Sequence, residues 1–155
     1  MLTLRTIDKE ADGRISHADY AHLCAWWKAR APRAPEREVL PTLGIIAEFN
    51  GRPIAVAFAY LDATGSGVAW LGWMATDPQA PKIRAGLALH RALEFLQEEC
   101  GRLNYWLMWA TLGDPSFIRF MENRGYTAAE RHLCHLFKCI DPAEPGILTP
   151  APVST

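Results

Sequence analysis

Three consecutive strand-like segments with no helix between them constrain the fold of this chain more than any other feature. Leu43–Phe49 and Pro53–Leu61 are apolar runs, and the Asn50-Gly51 pair between them is typical of a type I′ hairpin turn. A turn over 62–67 then leads into a third run, Val68–Ala75. Strands joined by such short turns pair antiparallel, so the pattern excludes a doubly wound parallel sheet.

Helical patterns lie on both sides of these three strands. Ser16 and Asp19 form the N-cap pattern of a first helix, which should end near Ala31 because two prolines follow. Residues 82–100 carry the longest helical pattern, and Gly101 is its expected stop.

Two more strands complete the predicted sheet. Leu2–Ile7 precedes the first helix, and Leu103–Ala110 is a nearly continuous apolar run for which we expect burial on both faces. The order of elements predicts an α/β fold with a mixed, mostly antiparallel sheet flanked by helices.

The C-terminal part begins with a clear helix signal. Asp114-Pro115 supplies an N-cap and a first-turn proline for a short helix that should run to about Arg124. Residues 126–140 should hold one or two strands. Residues 141–155 contain four prolines and no apolar periodicity, so we expect a Pro-rich mobile tail.

The composition fits one domain and lacks a strong charge bias. Of 155 residues, 50% are hydrophobic and 21% are charged, and the net charge of -1 gives no general attraction to nucleic acid or acidic lipid. No stretch approaches the ~20 apolar residues of a membrane span, and residues 1–9 lack the apolar segment of a signal peptide. The cysteines lie in apolar segments and should be reduced thiols, which favours a cytoplasmic protein (Cys24, Cys100, Cys134, Cys139).

Two segments resemble the GNAT (N-acetyltransferase) superfamily. GWMATDPQAPKIRAGLALHRALEFL, residues 72–96, resembles the strand, phosphate-binding turn and central helix of that family, and DPSFIRFMENRGY, residues 114–126, resembles its later motif. The segments ADYAHLCAWWKAR and DPQAP are also similar to small phage-encoded members. The resemblance covers residues 1–140 and implies a GNAT-like acyltransferase domain there.

The resemblance implies an acyl-CoA-dependent N-acyltransferase, with direct transfer from acetyl-CoA to an acceptor amine on a small molecule or a macromolecule. A homodimer is one expected assembly. The pyrophosphate of the cosubstrate would lie at a turn over Lys82–Ala88, because a helix N-terminus offers free N–H groups and small residues permit close approach. The residues implied in cosubstrate binding are those of this turn and of the preceding strand end: Met74, Ala75, Thr76, Lys82, Arg84, Ala85, Gly86, Leu87 and Ala88. Ile83 stands where the family usually has Arg or Gln.

The catalytic groups depart from the family pattern. The alignment at Gly125-Tyr126 places Met121 where the family commonly has a tyrosine acid. Candidate bases are Glu48 and Asp77 at strand ends, and Ser116 at the start of the short helix is a third catalytic candidate. His132 and His135 are further candidates.

Six tryptophans are many for this length, and most should lie in the core. The alternative is an aromatic acceptor pocket, for which the candidates are Trp27, Trp70, Trp73 and Trp109. Strand alternation predicts that Trp70 and Trp73 point to opposite faces. Such a pocket would favour a flat or apolar acceptor.

Two metal patterns are open to simpler interpretations. Residues 8–19 fit a calcium loop in spacing, but no helix precedes them and the last ligand is Asp19 rather than Glu, so a polar connection is favoured. A zinc set over 132–139 would be split between the two faces of a strand. We therefore predict no metal site.

Two other functions stay open from the sequence. One is a GNAT-fold protein without acetyl transfer, either CoA-binding and regulatory or nucleic-acid-modifying. The other is a calcium-responsive interaction module built on residues 8–19.

Overall fold

A computed structural model describes residues 1–31 and 33–129 of the chain. Its contacts divide the chain into two compact units, Met1–Leu112 and Gly113–Thr155. Each unit is described by itself. The predicted strands within 126–140 and the predicted tail over 141–155 lie largely outside the described residues.

The first unit is a five-stranded sheet with two helices, and it confirms the predicted fold class. The strands follow the chain in the order β1-β2-β3-β4-β5; the first four pair antiparallel and β5 pairs parallel to β4. The elements are β1 (Leu2–Thr6), α1 (His17–Lys28), a 3-10 turn (Arg37–Val39), β2 (Leu43–Phe49), β3 (Arg52–Leu61), β4 (Val68–Thr76), α2 (Lys82–Arg102) and β5 (Leu107–Ala110).

The β2–β3 hairpin forms at the predicted turn. Asn50 has φ 52° and Gly51 has φ 76°, as a type I′ turn requires. Asparagine and glycine adopt this left-handed backbone at the lowest cost. The register that follows pairs Leu43 with Ala59, so each face of the hairpin is apolar over most of its length.

The two faces of the sheet carry different side chains. On the α1 face, the Phe58 ring lies directly over Gly44, where an added Cβ would be 2.5 Å from it, and Trp27 of α1 packs 6.2 Å from the Phe58 centroid. On the α2 face, β3 presents fully buried small residues such as Ala55 and Ala57. Small residues on that face allow the long helix to pack closely on the central strands.

An ion-pair cluster connects α1 to the sheet. Arg5 on β1 donates to both carboxylate oxygens of Asp19 at 2.7 and 2.9 Å, and to Glu48 on β2 at 2.7 Å. The Asp19 carboxylate also accepts the N–H of Asp8, while Ser16 caps the helix by accepting the N–H of Asp19. Asp19 therefore holds the first turn of α1 on the sheet. In the part of the chain that is described, no cluster of acidic, His or Cys side chains could hold a metal ion.

The expectations for the end of α2 and for the strand after it are wrong in part. Gly101 does not stop the helix; Asn104, with φ 64°, takes the left-handed position, and Tyr105 N–H bonds the carbonyl of Cys100. The strand expected over 103–110 is confined to Leu107–Ala110, since the helix cap uses the residues before it. It is not buried on both faces, because Trp106 is 75% and Trp109 52% exposed.

The second unit begins with α3 (Pro115–Glu122), as predicted. The side chain of Asp114 accepts the N–H of Phe117 at 2.9 Å, which confirms it as the N-cap. The chain leaves the helix through Gly125, with φ 86°.

Cys24 and Cys100 are free thiols, and burial raises the pKa of Cys100. Among the residues with assigned coordinates, no helix combines the length and the apolar character needed to cross a bilayer.

Replacement of Asp19 by Asn should destabilise the fold in a pH-dependent way. Burial would raise the pKa of Asp19, but hydrogen bonds from Arg5 and from Asp8 N–H outweigh it, so the folded pKa lies below the ordinary value. The stabilisation is therefore present above the unfolded pKa of about 4 and disappears as the pH falls through the folded one. We expect Asp19→Asn to cost about 1–3 kcal/mol at pH 7 in urea unfolding, because Arg5 loses its charged partner.

The exposed pair of Glu94 with Arg91 supplies the control. Glu94→Gln should cost less than about 1 kcal/mol. A cost of Asp19→Asn that stays the same from pH 7 to pH 3 would contradict this interpretation of the cluster.

Candidate functional site

Within the stretch where the two strands pair, β4 contains one residue more than β3: residues 69–76 lie opposite residues 55–61. Phe58 pairs with Gly72 and Val56 with Ala75, so Ala57 faces two residues, Trp73 and Met74. This is a β-bulge, and Trp73 has φ 52° within it. A positive φ is an outlier for a bulky side chain and costs about 1–3 kcal/mol, so other contacts must hold it.

Two hydrogen bonds hold Trp73 in this conformation. The indole N–H of Trp27 on α1 donates to the Trp73 carbonyl at 3.2 Å. The indole N–H of Trp73 donates to the hydroxyl of Tyr60 on β3 at 2.6 Å, and that hydroxyl donates to the Val39 carbonyl. The backbone and the side chain of the bulge are thus fixed from two different elements.

The edge of β4 opens just before the bulge. Pairing with β5 runs from Val68 to Leu71 and stops there. From Gly72 to Thr76, β4 has no strand partner on that side within the described residues. Met74, Ala75 and Thr76, which the resemblance implies in cosubstrate binding, lie in this open segment.

Helix α2 begins at Lys82, as the helical pattern over residues 82–100 predicts, so the turn that the resemblance implies at Lys82–Ala88 is not a separate element. The predicted turn over Lys82–Ala88 is α-helical throughout, and the first helical hydrogen bond runs from Ala85 N–H to the Pro81 carbonyl at 2.9 Å. The N–H groups after that residue are used inside the helix, so the free ones belong to Lys82, Ile83 and Arg84. A backbone site for anions at this helix is therefore shifted toward residue 82.

The reason for the helical backbone over Lys82–Ala88 is local. Pro81 has φ -55° and suits the cap position, and Lys82 to Ala85 are ordinary helix formers that need no turn. Gly86 is then a residue of the second helical turn, and an added Cβ there would meet no atom within 4 Å.

The side chains at the start of α2 suit an anionic ligand. Lys82 and Arg84 are exposed, and the Arg84 guanidinium lies 4.2 Å from the centroid of the Phe49 ring. Ala85 and Ala88 face the sheet and are buried, so they act as packing residues, whereas Ile83 and Leu87 face solvent. Two cations beside three free N–H groups at the positive end of a helix dipole attract phosphate.

The three catalytic candidates are all engaged by neighbouring groups. Glu48 pairs with Arg5. Asp77 is buried, pairs with Arg52 at 2.7 Å and accepts the N–H of Gln79, so it organises the loop between β4 and α2. The hydroxyl of Ser116 donates to the capping carboxylate of Asp114. Each has a structural role that explains its presence.

The structure revises the set of predicted pocket aromatics. Trp27 is buried, with 7% exposure, and belongs to the core. Trp70 and Trp73 do not point to opposite faces: Trp70 is the cross-strand partner of Tyr60, and Trp73 bonds the Tyr60 hydroxyl. Trp73 is the first residue of the bulge, and its positive-φ backbone turns its side chain to the Trp70 face. Tyr60 was missed, and its position opposite Trp70 in the hairpin register is the signal that could have found it.

A small cavity of about 230 Å³ lies elsewhere, at the C-terminal end of α2, lined by residues that include Cys100, Tyr105 and Leu107. It is far along the helix from the free N–H groups at Lys82. The open edge of β4 and the start of α2 therefore define the candidate site.

No protein-family model matches the sequence, and no curated protein matches it. Solved structures do match. A putative acetyltransferase from Agrobacterium tumefaciens is 18% identical with a TM-score of 0.61, over 87% of this chain and 99% of that one. The ribosomal-protein-S18-alanine N-acetyltransferase from Escherichia coli is 17% identical with a TM-score of 0.63, over 84% and 80%.

A third match is AAC(6')-Iy, solved with a CoA-containing bisubstrate analogue: 16% identity and a TM-score of 0.61, over 90% of this chain and 99% of that one. At such identities the likeness shows the fold alone. It confirms, at that level, the resemblance of this chain to the GNAT acetyltransferases.

Loss of the Trp27 indole N–H should loosen the bulge. Trp27→Phe keeps an aromatic ring in the core but removes the donor to the Trp73 carbonyl, so we expect a loss of about 1–2 kcal/mol in urea unfolding. Glycine adopts a positive φ without strain. Trp27→Phe should therefore cost clearly less in a Trp73→Gly background. Equal costs in both backgrounds would show that the hydrogen bond does not hold the strained residue.

Proposed function

We propose that this chain, which has the GNAT fold, is an acyl-CoA-dependent N-acyltransferase that uses acetyl-CoA. The observation that carries the proposal is the open backbone of β4 from Gly72 to Thr76, which leads through a short loop into a cationic helix start at Lys82 and Arg84. The acetyltransferases that match this fold, one of them solved with a CoA analogue, support the same reaction class.

The roles of this chain's residues follow from their exposed groups. The free N–H groups of Lys82, Ile83 and Arg84, with the two cationic side chains, would hold the pyrophosphate. The open backbone of Met74–Thr76 would pair with the extended pantetheine arm, as an added strand does at a sheet edge. Ala85, Gly86, Leu87 and Ala88 continue the helix behind the phosphates. Bound acetyl-CoA would supply an activated thioester.

We propose that transfer to the acceptor amine proceeds by positioning, with solvent water receiving the proton. Glu48, Asp77 and Ser116 remain the acidic and hydroxyl candidates, but each is held in a structural contact. Orientation of two reactants alone can lower a barrier by several kcal/mol. Reduced Cys24 and Cys100 support a cytoplasmic enzyme. The phage origin and the homodimer stay predictions from the resemblance.

A second candidate is a GNAT-fold protein without acetyl transfer, which binds CoA for regulation or modifies nucleic acid. One observation favours it: the turn that the resemblance implies over Lys82–Ala88 is helical, and the exposed Ile83 stands where the family usually has Arg or Gln. Calorimetric titration of the full chain with acetyl-CoA and CoA, followed by a thiol-release assay with amines, separates the two. Binding without thiol release would favour the second candidate.

Gly86→Glu should greatly weaken acetyl-CoA binding in that calorimetric titration. The substitution adds negative charge one turn from the free N–H groups, where the phosphates would lie, and open space around Gly86 lets the variant fold. Gly86→Ala is the matched control, since it adds only a methyl group and favours the helix by about 1 kcal/mol. Unchanged affinity in folded Gly86→Glu would show that the phosphates bind elsewhere.

The leaving thiolate should not depend on a tyrosine acid. Met121 of α3, where the family commonly has tyrosine, is buried and has no ionisable proton. The hydroxyl of Tyr105 already donates to the Asp62 carbonyl at 2.8 Å. Tyr105→Phe and Tyr126→Phe should each change kcat by less than about tenfold, because a general acid is worth about 10²–10⁴-fold. A hundredfold loss in either variant, with acetyl-CoA affinity retained, would identify a tyrosine acid.

A further inference from the structure

Four exposed aromatic side chains form one continuous surface on the α1 face of the sheet. This ring row consists of Tyr60, Trp70, Trp73 and Trp109, which are 40%, 48%, 40% and 52% exposed. The Trp70 and Trp109 indoles have centroids 6.4 Å apart and planes tilted by 33°. Isolated exposed aromatics are common, but four in contact are typical of a ligand-binding surface.

Two backbone features assemble the ring row. The bulge at Trp73 turns its side chain to the same face as Trp70. Gly72, between them, leaves space: an added Cβ would lie 3.3 Å from Cε2 of Tyr60, so the Tyr60 ring leans across the glycine to reach Trp73. Trp73 of the row therefore lies in the segment of β4 that is open for the cosubstrate, and Trp70 lies two residues before that segment.

The polar groups of the row define the ligand that it can bind. Tyr60 and Trp73 use their polar atoms on each other and on the Val39 carbonyl. The indole N–H groups of Trp70 and Trp109 have no protein acceptor among residues 1–31 and 33–129. Over the same residues, no carboxylate bonds to a ring of the row. Within the described residues, a ligand would thus meet flat aromatic rings and two indole N–H donors.

From this complementarity we infer that the ring row binds the acceptor as a planar heteroaromatic amine. Its ring stacks on Trp70 and Trp109, and a ring nitrogen or oxygen accepts an indole N–H. This inference rests on the proposed acyl transfer and names the acceptor class for it. A saturated or purely cationic amine lacks both the flat face and the acceptor atom.

Three amines of similar size and basicity test the inference on the full chain. The first, 2-(pyridin-4-yl)ethylamine, has an aromatic ring with an acceptor nitrogen. The second, 2-phenylethylamine, has an aromatic ring without an acceptor, and the third, 2-cyclohexylethylamine, has neither an aromatic ring nor an acceptor. Stacking contributes about two- to tenfold for each ring pair. We expect affinities in that order, with about tenfold or more between the first and the last, in NMR titrations that follow the indole N–H signals.

Matched variants locate the binding. Trp70→Leu and Trp109→Leu should abolish the preference for the pyridyl amine over the cyclohexyl amine. Trp106→Leu is the control and should keep the preference for the pyridyl amine. Trp106 is a neighbouring exposed tryptophan, and its indole N–H already donates to the Ser66 carbonyl. A melting temperature for each variant checks that the fold is retained.

Three outcomes would overturn the inference: equal affinities across the series, a preference that survives both row variants, or a dimer in ultracentrifugation that Trp70→Leu dissociates. A separate titration with acetyl-CoA tests the proposed function. Acetyl-CoA binding without ring preference would refute the acceptor class alone. Ring preference without acetyl-CoA binding would refute the transferase and leave the ring row as a binding site.

Discussion

The extra residue in β4 opposite Ala57 is the constraint on which the candidate site depends. A strand with a bulge bends and twists more strongly than its neighbours. Here the bulge lies immediately beyond Leu71, where the pairing of β4 with β5 ends. Over residues 1–31 and 33–129, the same backbone segment therefore has no further strand partner on that side, presents its polar groups at an open edge and turns Trp73 toward Trp70.

Such a bulge is unfavourable on its own, because a tryptophan with positive φ has a strained backbone. Its stability comes from elements that are distant in sequence. Trp27 reaches it from α1 and Tyr60 from β3. Helix α1 is held in turn by Arg5 and Asp19 at its first turn. The strained site is thus supported by the core of the first unit through a short series of contacts.

At the start of α2, the resemblance identified the residues of the phosphate-binding motif but not their backbone conformation. The resemblance placed a phosphate-binding turn at Lys82–Ala88, and the cationic residues are there. The backbone is helical because the fixed φ of Pro81 suits the position before the helix and the next four residues favour it. Free N–H groups therefore occur a turn before Gly86. Proximity in sequence identified the residues, but the hydrogen-bond pattern decided which amides can receive a ligand.

Local chemistry in the sequence determined the elements of this protein. Asn50-Gly51 specified the hairpin, Ser16 and Asp114 specified the helix starts, and the short turns between apolar runs specified antiparallel pairing. Each of these signals depends on neighbouring residues only. Tertiary structure alone decided that Asn104 rather than Gly101 ends α2, that Trp27 is a core residue and that Trp73 shares a face with Trp70. Tertiary structure also decided that Glu48 and Asp77 form ion pairs with Arg5 and Arg52. These outcomes depend on strand register and on contacts between residues that are distant in sequence. Arg52 and Asp77 are 25 residues apart, and Trp27 and Trp73 are 46 residues apart, so no local sequence pattern contains both partners.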